Sequence, residues 1–189
     1  MLQHLPPPAL TYLLQIFNAC LQLEQLPKQW LNSNIWPIPK KAQYTYELNT
    51  TRPITLIDHT RKIFTKIITN RLSNILDRHN VLSPHNYAAF PQQSTLQPIS
   101  QLTSIIKHAS ISKQEVWLLL QDISKAFDSV HIPTLVRALQ RIQIPSSIVN
   151  LLIFLLFNRI NQIITDYGLT EPYLVEDGID QGETFSPIL

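Results

Sequence analysis

Apolar residues recur at helical spacing over much of the chain. From Ala9 to Leu26 they fall at Leu10, Leu13, Leu14, Phe17 and Leu21, which predicts a helix that Pro27 closes. A second, longer helix is predicted over Asp58 to Asp77. There Ile63, Phe64, Ile67, Ile68, Leu72, Ile75 and Leu76 form one stripe, and Arg61, Lys62, Lys66 and Arg71 take the remaining surface. Leu96 to Ala109 repeats the rhythm with Ile99, Leu102, Ile105 and Ile106, after Ser94 or Thr95 as a helix-starting cap. Two shorter helices are read over Pro133 to Arg141 and Ser146 to Phe157, with a turn at Pro145 between them.

Other stretches read as extended chain. Trp30 and the run IWPIPKKAQ predict an edge strand followed by a charged loop, because Pro37 and Pro39 cannot donate to a ladder on both sides. Glu115 to Gln121 contains VWLLL, whose lack of alternation predicts a strand buried on both faces. INQIITDYG and PYLVEDG read as two short strands joined by a turn, and LSPHNYAAFPQQST as a loop. The order is helical and basic first, then a strand, two helices and a strand pair. That is an α+β class rather than regular βαβ winding. The apolar pattern resumes at Phe185 and breaks off by Leu189, which predicts a truncated domain.

Composition narrows the picture. With 44% apolar residues the chain can build a core, and disorder is not its default state. The cluster Pro6, Pro7 and Pro8 reads as a short stiff lead-in. A single cysteine, Cys20, excludes an internal disulfide and a cysteine-based zinc site, and is consistent with a reducing, intracellular compartment. The start MLQHLPPPAL lacks the layout of a signal peptide. The strongest apolar run, Leu151 to Phe157, is far short of the ~20 residues that span a bilayer, so no membrane insertion is expected.

The net charge of +2 is unevenly spread. Eight basic and three acidic residues lie between Lys40 and Arg78, whereas Asp166 to Glu183 holds six acidic residues and no basic one. The basic half suits a polyanion such as nucleic acid or a triphosphate. A solvated helix face beside an acidic tail explains the same counts.

The candidate chemistry centres on Asp122, directly after the apolar run. A strand end would hold its carboxylate rigidly, as a ligand to a hard cation such as Mg²⁺ requires. A turn or cap role is the plainer reading of Asp122 on its own, because a lone aspartate at a strand end is common. Asp128, just before a helix, reads as a turn or helix-start acceptor. The histidines are scattered without a zinc pattern, and Trp30, Trp36 and Trp117 read as packing residues.

Taken together, five ordered segments resemble the reverse transcriptases, in particular those of non-LTR retrotransposons and group II introns. QDISKAFDSV is similar to the first palm motif, IWPIPKK to the fingers strand, and RPITLIDHTRKIFTKIITNRL to the fingers helix. LSPHNYAAFPQQST is similar to the template loop, and GIDQGETFSPIL to the palm–fingers motif around Gln-Gly. The resemblance implies a partial right-hand polymerase: a helical lead-in at 1–29, a fingers-like region at 30–112 and an incomplete palm-like region at 113–189. It implies Asp122 as a Mg²⁺ ligand in two-metal nucleotidyl transfer, assisted by the backbone carbonyl of Ile123. Phe127 would pack under the incoming sugar. Lys40 or Lys41 and Arg52 would meet the triphosphate, and Gln181 and Gly182 would lie beside the nucleotide and template. Phe90, Gln92 and Ser94 would touch template, Asp128 would be local support, and Lys62, Lys66 and Arg71 would face nucleic acid. The implied partners are an RNA template, a primer and a dNTP.

Two departures limit that expectation. The template loop has Ala89, Phe90 and Pro91 where the family commonly has Gly-Phe-Arg, which removes a cationic contact. The Tyr/Phe-x-Asp-Asp hairpin, which supplies two of the three metal carboxylates, does not occur in these 189 residues. The expectation is therefore a catalytically incomplete polymerase fragment with at most weak nucleic-acid and Mg²⁺ binding. The alternatives are a non-catalytic nucleic-acid-binding relic or interaction domain, and an unrelated Mg²⁺-dependent phosphotransfer enzyme built around Asp122.

Overall fold

In a computed structural model, residues 4–40, 47, 50–83, 85–88 and 93–188 are described. Five α-helices and a small mixed sheet make up the described fold. Helix α1 (Pro7–Leu23) begins at a proline, which suits the first helical turn, where its missing N–H has no partner to lose. It buries Phe17 and Cys20. The Phe17, Trp30 and Phe64 rings meet with centroids 5.3–6.4 Å apart, and the Trp30 indole N–H donates to Thr60 Oγ1 at 3.0 Å. Trp30 is thus the packing residue the sequence predicts.

Strand β1 (Asn32–Pro39) is not the edge strand that its prolines predict. The sheet order is β2-β1-β3-β4, with β2 (Thr51–Leu56), β3 (Arg159–Thr165) and β4 (Gly168–Leu169); β5 (Tyr173–Val175) also pairs with β3. The register of the two pairings explains the difference. Parallel pairing with β3 covers only Asn32 to Ile35, and antiparallel pairing with β2 continues through Pro39. The prolines therefore sit where β1 has a single neighbour. Pro37 stands directly opposite Pro53, a pairing that an antiparallel ladder accommodates only at a position without hydrogen bonds. Strand β2 itself, the RPITL stretch, carries no alternation from which sequence reasoning assigned a strand.

Helix α2 (His59–Arg78) starts at Asp58, whose Oδ1 accepts from the backbone N–H groups of Thr60 at 2.8 Å and Arg61 at 3.1 Å, and from the Thr60 hydroxyl. Its core face is Phe64, Ile68, Leu72 and Leu76, flanked by buried Thr65, Thr69 and Ser73; Ile67 and Ile75, predicted for the stripe, are exposed. Helix α3 (Leu96–Ser112) buries only Ala109. Ser94 accepts the Leu96 N–H at 3.2 Å, so the hydroxyl expected at template caps the helix start. Helices α4 (Ile132–Arg141) and α5 (Ser146–Leu156) pack Leu135, Leu139, Leu151, Leu152 and Leu155 into the main core. Among the described residues no helix is long and apolar enough to cross a membrane.

The largest departure concerns Glu115 to Gln121. The segment has no regular secondary structure and belongs to no ladder, and Trp117 is 90% and Leu119 92% exposed. A strand buried on both faces needs a strand on each side and layers above and below, and among the described residues none pairs with it. Trp117, and Trp36 at 49% exposure, are therefore not the packing residues they were expected to be.

The Asp58 cap yields a test of the start of α2. Burial acts to raise the Asp58 pKa, but the hydrogen bonds from Thr60 and Arg61, with the nearby His59, outweigh it and hold the carboxyl below its ordinary value. A lowered folded value means the charged cap stabilises the fold above the ordinary carboxylate range and is lost as pH falls through the folded value. Asp58→Ala is expected to cost about 1 kcal/mol in urea unfolding at neutral pH. The gap between the two proteins should close in acid.

Candidate nucleotide and nucleic-acid site

Four charged side chains come together in the interior, and they position the Gln181–Gly182 loop. Arg61 is fully buried, against the expectation that it lies on a solvated basic face. Its Nε donates to Glu183 Oε2 at 2.8 Å, its second nitrogen to Asp180 Oδ2 at 3.3 Å and its third to the Trp30 carbonyl at 2.6 Å. Arg159, at the start of β3, donates to Asp180 Oδ1 at 2.5 Å, to the Gly178 carbonyl at 2.7 Å and to the Asp177 carbonyl at 3.1 Å. Its Nε also caps the end of α5 through the Leu156 carbonyl at 2.9 Å. Glu183 Oε1 accepts from the Thr65 hydroxyl and the Thr184 N–H, each at 2.8 Å. Two guanidinium groups face two carboxylates, so the cluster is neutral. Its satisfied donors and acceptors are what a buried ionic group requires.

Three of the six acidic residues between Asp166 and Glu183, namely Asp177, Asp180 and Glu183, are held by protein donors. Asp180 is shared by two arginines. Asp177 accepts the Ile132 N–H at 2.8 Å and so caps α4 from a distant loop, with His131 3.8 Å away. Among the described residues no three or more His, Cys, Asp or Glu side chains gather as metal ligands.

With this loop anchored, the Gln181 carbonyl accepts the Thr55 N–H at 2.8 Å. Thr55 lies opposite Ile35 at a β1–β2 position of the same parity as the proline pair, so its N–H is free to point away from β1. Gly182 is required at this contact. Its φ is +119°, and a Cβ there would stand 2.8 Å from the Thr55 carbonyl oxygen. Gly178 brings the loop equally close to the 127–130 turn, where Ile179 N–H bonds the Phe127 carbonyl at 2.9 Å and Gly178 N–H the Val130 carbonyl at 3.0 Å.

The expected site residues divide accordingly. Arg52, Gln181 and Gly182 share one strand neighbourhood, since Arg52 precedes Thr55 by three residues, about 10 Å along β2. Arg52 lies opposite Ile38 and leaves the same face of the β1–β2 pair as exposed Trp36, and Lys40 follows directly after β1. Phe127 is half-buried against the core. Asp128 is exposed and meets the C-terminal loop through its backbone at Gly178. Asp122 and Ile123 are exposed on the unpaired segment, and no hydrogen bond or ion pair of the described residues involves the Asp122 carboxylate. Lys66 and Arg71 are exposed, and Lys62 is half-buried. Lys41, Phe90 and Gln92 lie outside the described residues.

Sequence reasoning missed Arg61, Arg159 and the structural role of Asp180 and Glu183. The signal available was acidic residues flanking an invading Gln-Gly pair, but nothing local names Arg159, 21 positions away, or Arg61, 119 and 122 positions away, as their partners. A direct test is Gly182→Ala. Strained backbone of this kind costs roughly 1–3 kcal/mol, and the Cβ–oxygen clash adds to it. The expected result is a lower urea midpoint and loss of protection at the Thr55 amide.

The family described as "Reverse transcriptase (RNA-dependent DNA polymerase)" matches residues 38–189. Over its whole length the chain is 28% identical to "Probable RNA-directed DNA polymerase from transposon BS" and to "Probable RNA-directed DNA polymerase from transposon X-element", both of Drosophila melanogaster, covering 21% of each. Over 92% of its length it is 26% identical to "Retrovirus-related Pol polyprotein from type-1 retrotransposable element R2" of Nasonia vitripennis, covering 16% of that protein. The chain thus spans about a fifth of the length of the curated relatives it matches. With four-fifths of its residues inside the family match and its relatives drawn from non-LTR retrotransposons, the chain belongs to the reverse transcriptase family.

Proposed function

We propose that these 189 residues are part of an RNA-directed DNA polymerase of a retroelement, contributing nucleotide and template contacts to a site that needs further chain to catalyse. Residues 30–112 are the fingers-like part and 113–189 an incomplete palm-like part, with 1–29 as a helical lead-in. The observation that carries the reading is the bond between Thr55 and Gln181, which sets the Gln-Gly loop on the same strand as Arg52. A guanidinium on an exposed strand face beside an indole, with a lysine just past the strand end, suits a triphosphate or a nucleic-acid backbone.

In this reading Phe127 would pack under the sugar of an incoming dNTP, and Lys40 and Arg52 would bind its phosphates. Asp122 and the Ile123 carbonyl offer oxygen donors that suit Mg²⁺ in kind. They do not suffice in number for two-metal transfer, which needs carboxylates on both ions. No chemical step is assigned to these residues alone. The exposed run Val116 to Leu120 is consistent with a strand that finds its partners in further palm chain.

A second reading, a non-catalytic nucleic-acid-binding or interaction domain, is favoured by the solvated and solitary carboxylate of Asp122. One experiment addresses both: binding of single-stranded RNA by the chain across a salt series, with primer and dNTP then added in Mg²⁺. The polymerase-fragment reading expects affinity that falls linearly in log–log form with salt, with Arg52→Ala reducing the slope by about one, and no primer extension. Salt-insensitive or absent RNA binding removes the nucleic-acid role. Extension that Asp122→Ala abolishes overturns the claim that further carboxylates are needed.

A further inference from the structure

Phe127 and Val130 rest against the main core, in a turn whose upstream neighbour, Glu115 to Gln121, belongs to no ladder. The turn is fastened instead to residues 177–179, far along the chain. Ile179 N–H donates to the Phe127 carbonyl at 2.9 Å, and Gly178 N–H to the Val130 carbonyl at 3.0 Å. Just past the turn, the Ile132 N–H donates to Asp177 Oδ1 at 2.8 Å. The same segment has a second attachment. Arg159 donates to the carbonyls of Asp177 at 3.1 Å and Gly178 at 2.7 Å, and to the Asp180 carboxylate. Residues 177–179 thus turn carbonyls toward Arg159 and amides toward the Phe127 turn. Asp180 directly precedes Gln181, so Phe127 and Gln181 are both placed by reference to one guanidinium.

We infer that Asp177 is a positioning residue for sugar selection: with Gly178 and Ile179 it sets where Phe127 stands relative to Gln181, and so how strictly a 2′-hydroxyl is refused. This rests on the reading of Phe127 as the ring under the incoming sugar. Such a ring refuses a hydroxyl by filling its space and offering it no hydrogen-bond partner. It does so only while its own backbone cannot give way. Asp177 supplies the far anchor. Helix α4 has no side-chain cap from its own N-cap residue, His131, and the Asp177 carboxylate takes that place from across the loop. Gly178 allows the close approach. Its φ is +80°, and a Cβ there would stand 3.0 Å from the Asp128 carbonyl oxygen and 3.1 Å from that of Phe127.

The test titrates dCTP and CTP separately against the whole chain and follows the Phe127 ring by NMR. The natural sequence should prefer dCTP by about tenfold or more, and Phe127→Ala should abolish the preference. Asp177→Ala should narrow it about fivefold, the factor of one lost helix cap, and should weaken protection of the Ile179 amide against exchange. Asp177→Asn keeps an acceptor oxygen for the Ile132 N–H and should restore both. General loss of stability would weaken dCTP and CTP alike and leave their ratio unchanged. An unchanged ratio in Asp177→Ala therefore overturns the inference and leaves the nucleotide site standing, as does an Asp177→Asn that fails to restore the ratio. Binding of neither nucleotide, or a preference that survives Phe127→Ala, overturns the reading of Phe127 itself, and the inference falls with it.

Discussion

Two buried arginines have to be neutralised, and the way Arg61 and Arg159 are neutralised sets the arrangement of everything around them. Asp180 lies between the two guanidinium groups, and Glu183 completes the first of them. Removing one member of such a cluster leaves an unpaired buried charge, which costs roughly 3–5 kcal/mol. The geometry is therefore held far more firmly than a surface ion pair would hold it. The cluster ties together the start of α2, the α5–β3 junction and the 177–183 loop; Arg61 is 119 and 122 positions from its carboxylate partners and Arg159 is 21 from Asp180.

From this anchor the rest follows by contact. The loop crosses the edge of β2, where the opposed Pro37 and Pro53 mark ladder positions without hydrogen bonds and Thr55, of the same parity, presents its N–H outward. Only glycine passes there, because any side chain at 182 would meet the Thr55 carbonyl. The loop also covers part of a sheet edge that would otherwise expose unpaired backbone groups. Arg52 and Gln181 come together as a consequence of packing: a neutral charge cluster in the core sets the spacing of polar residues at the surface.

The helices were legible because their apolar period is local, and each appears within a few residues of its predicted bounds. The Asp58 side chain even starts α2 as a cap should. The strands were less legible. IWPIP carries prolines that signal an edge, and the true answer, central in one half and edge in the other, depends on where β3 stops pairing. VWLLL has the composition of a buried strand, but burial is supplied by neighbours, and the described residues offer none. Arg61 looked like its basic neighbours because charge in sequence does not reveal a partner 119 or 122 residues away. For the site, the Gln-Gly motif and Arg52 were legible by resemblance, whereas their physical connection was visible only in three dimensions.

The account turns on whether the buried cluster clamps the Gln181–Gly182 loop onto β2. Native-state amide hydrogen exchange at Thr55 reads this contact directly, since that N–H has no partner in the β1–β2 ladder. In the natural sequence the Thr55 amide should be protected. Asp180→Asn keeps the shape of the side chain but removes the charge that faces both arginines. It should release Thr55 selectively, while ladder amides such as those of Ile54 and Trp36 keep their protection. A Thr55 amide that exchanges freely in the natural sequence, or one that stays protected in Asp180→Asn, would contradict the account.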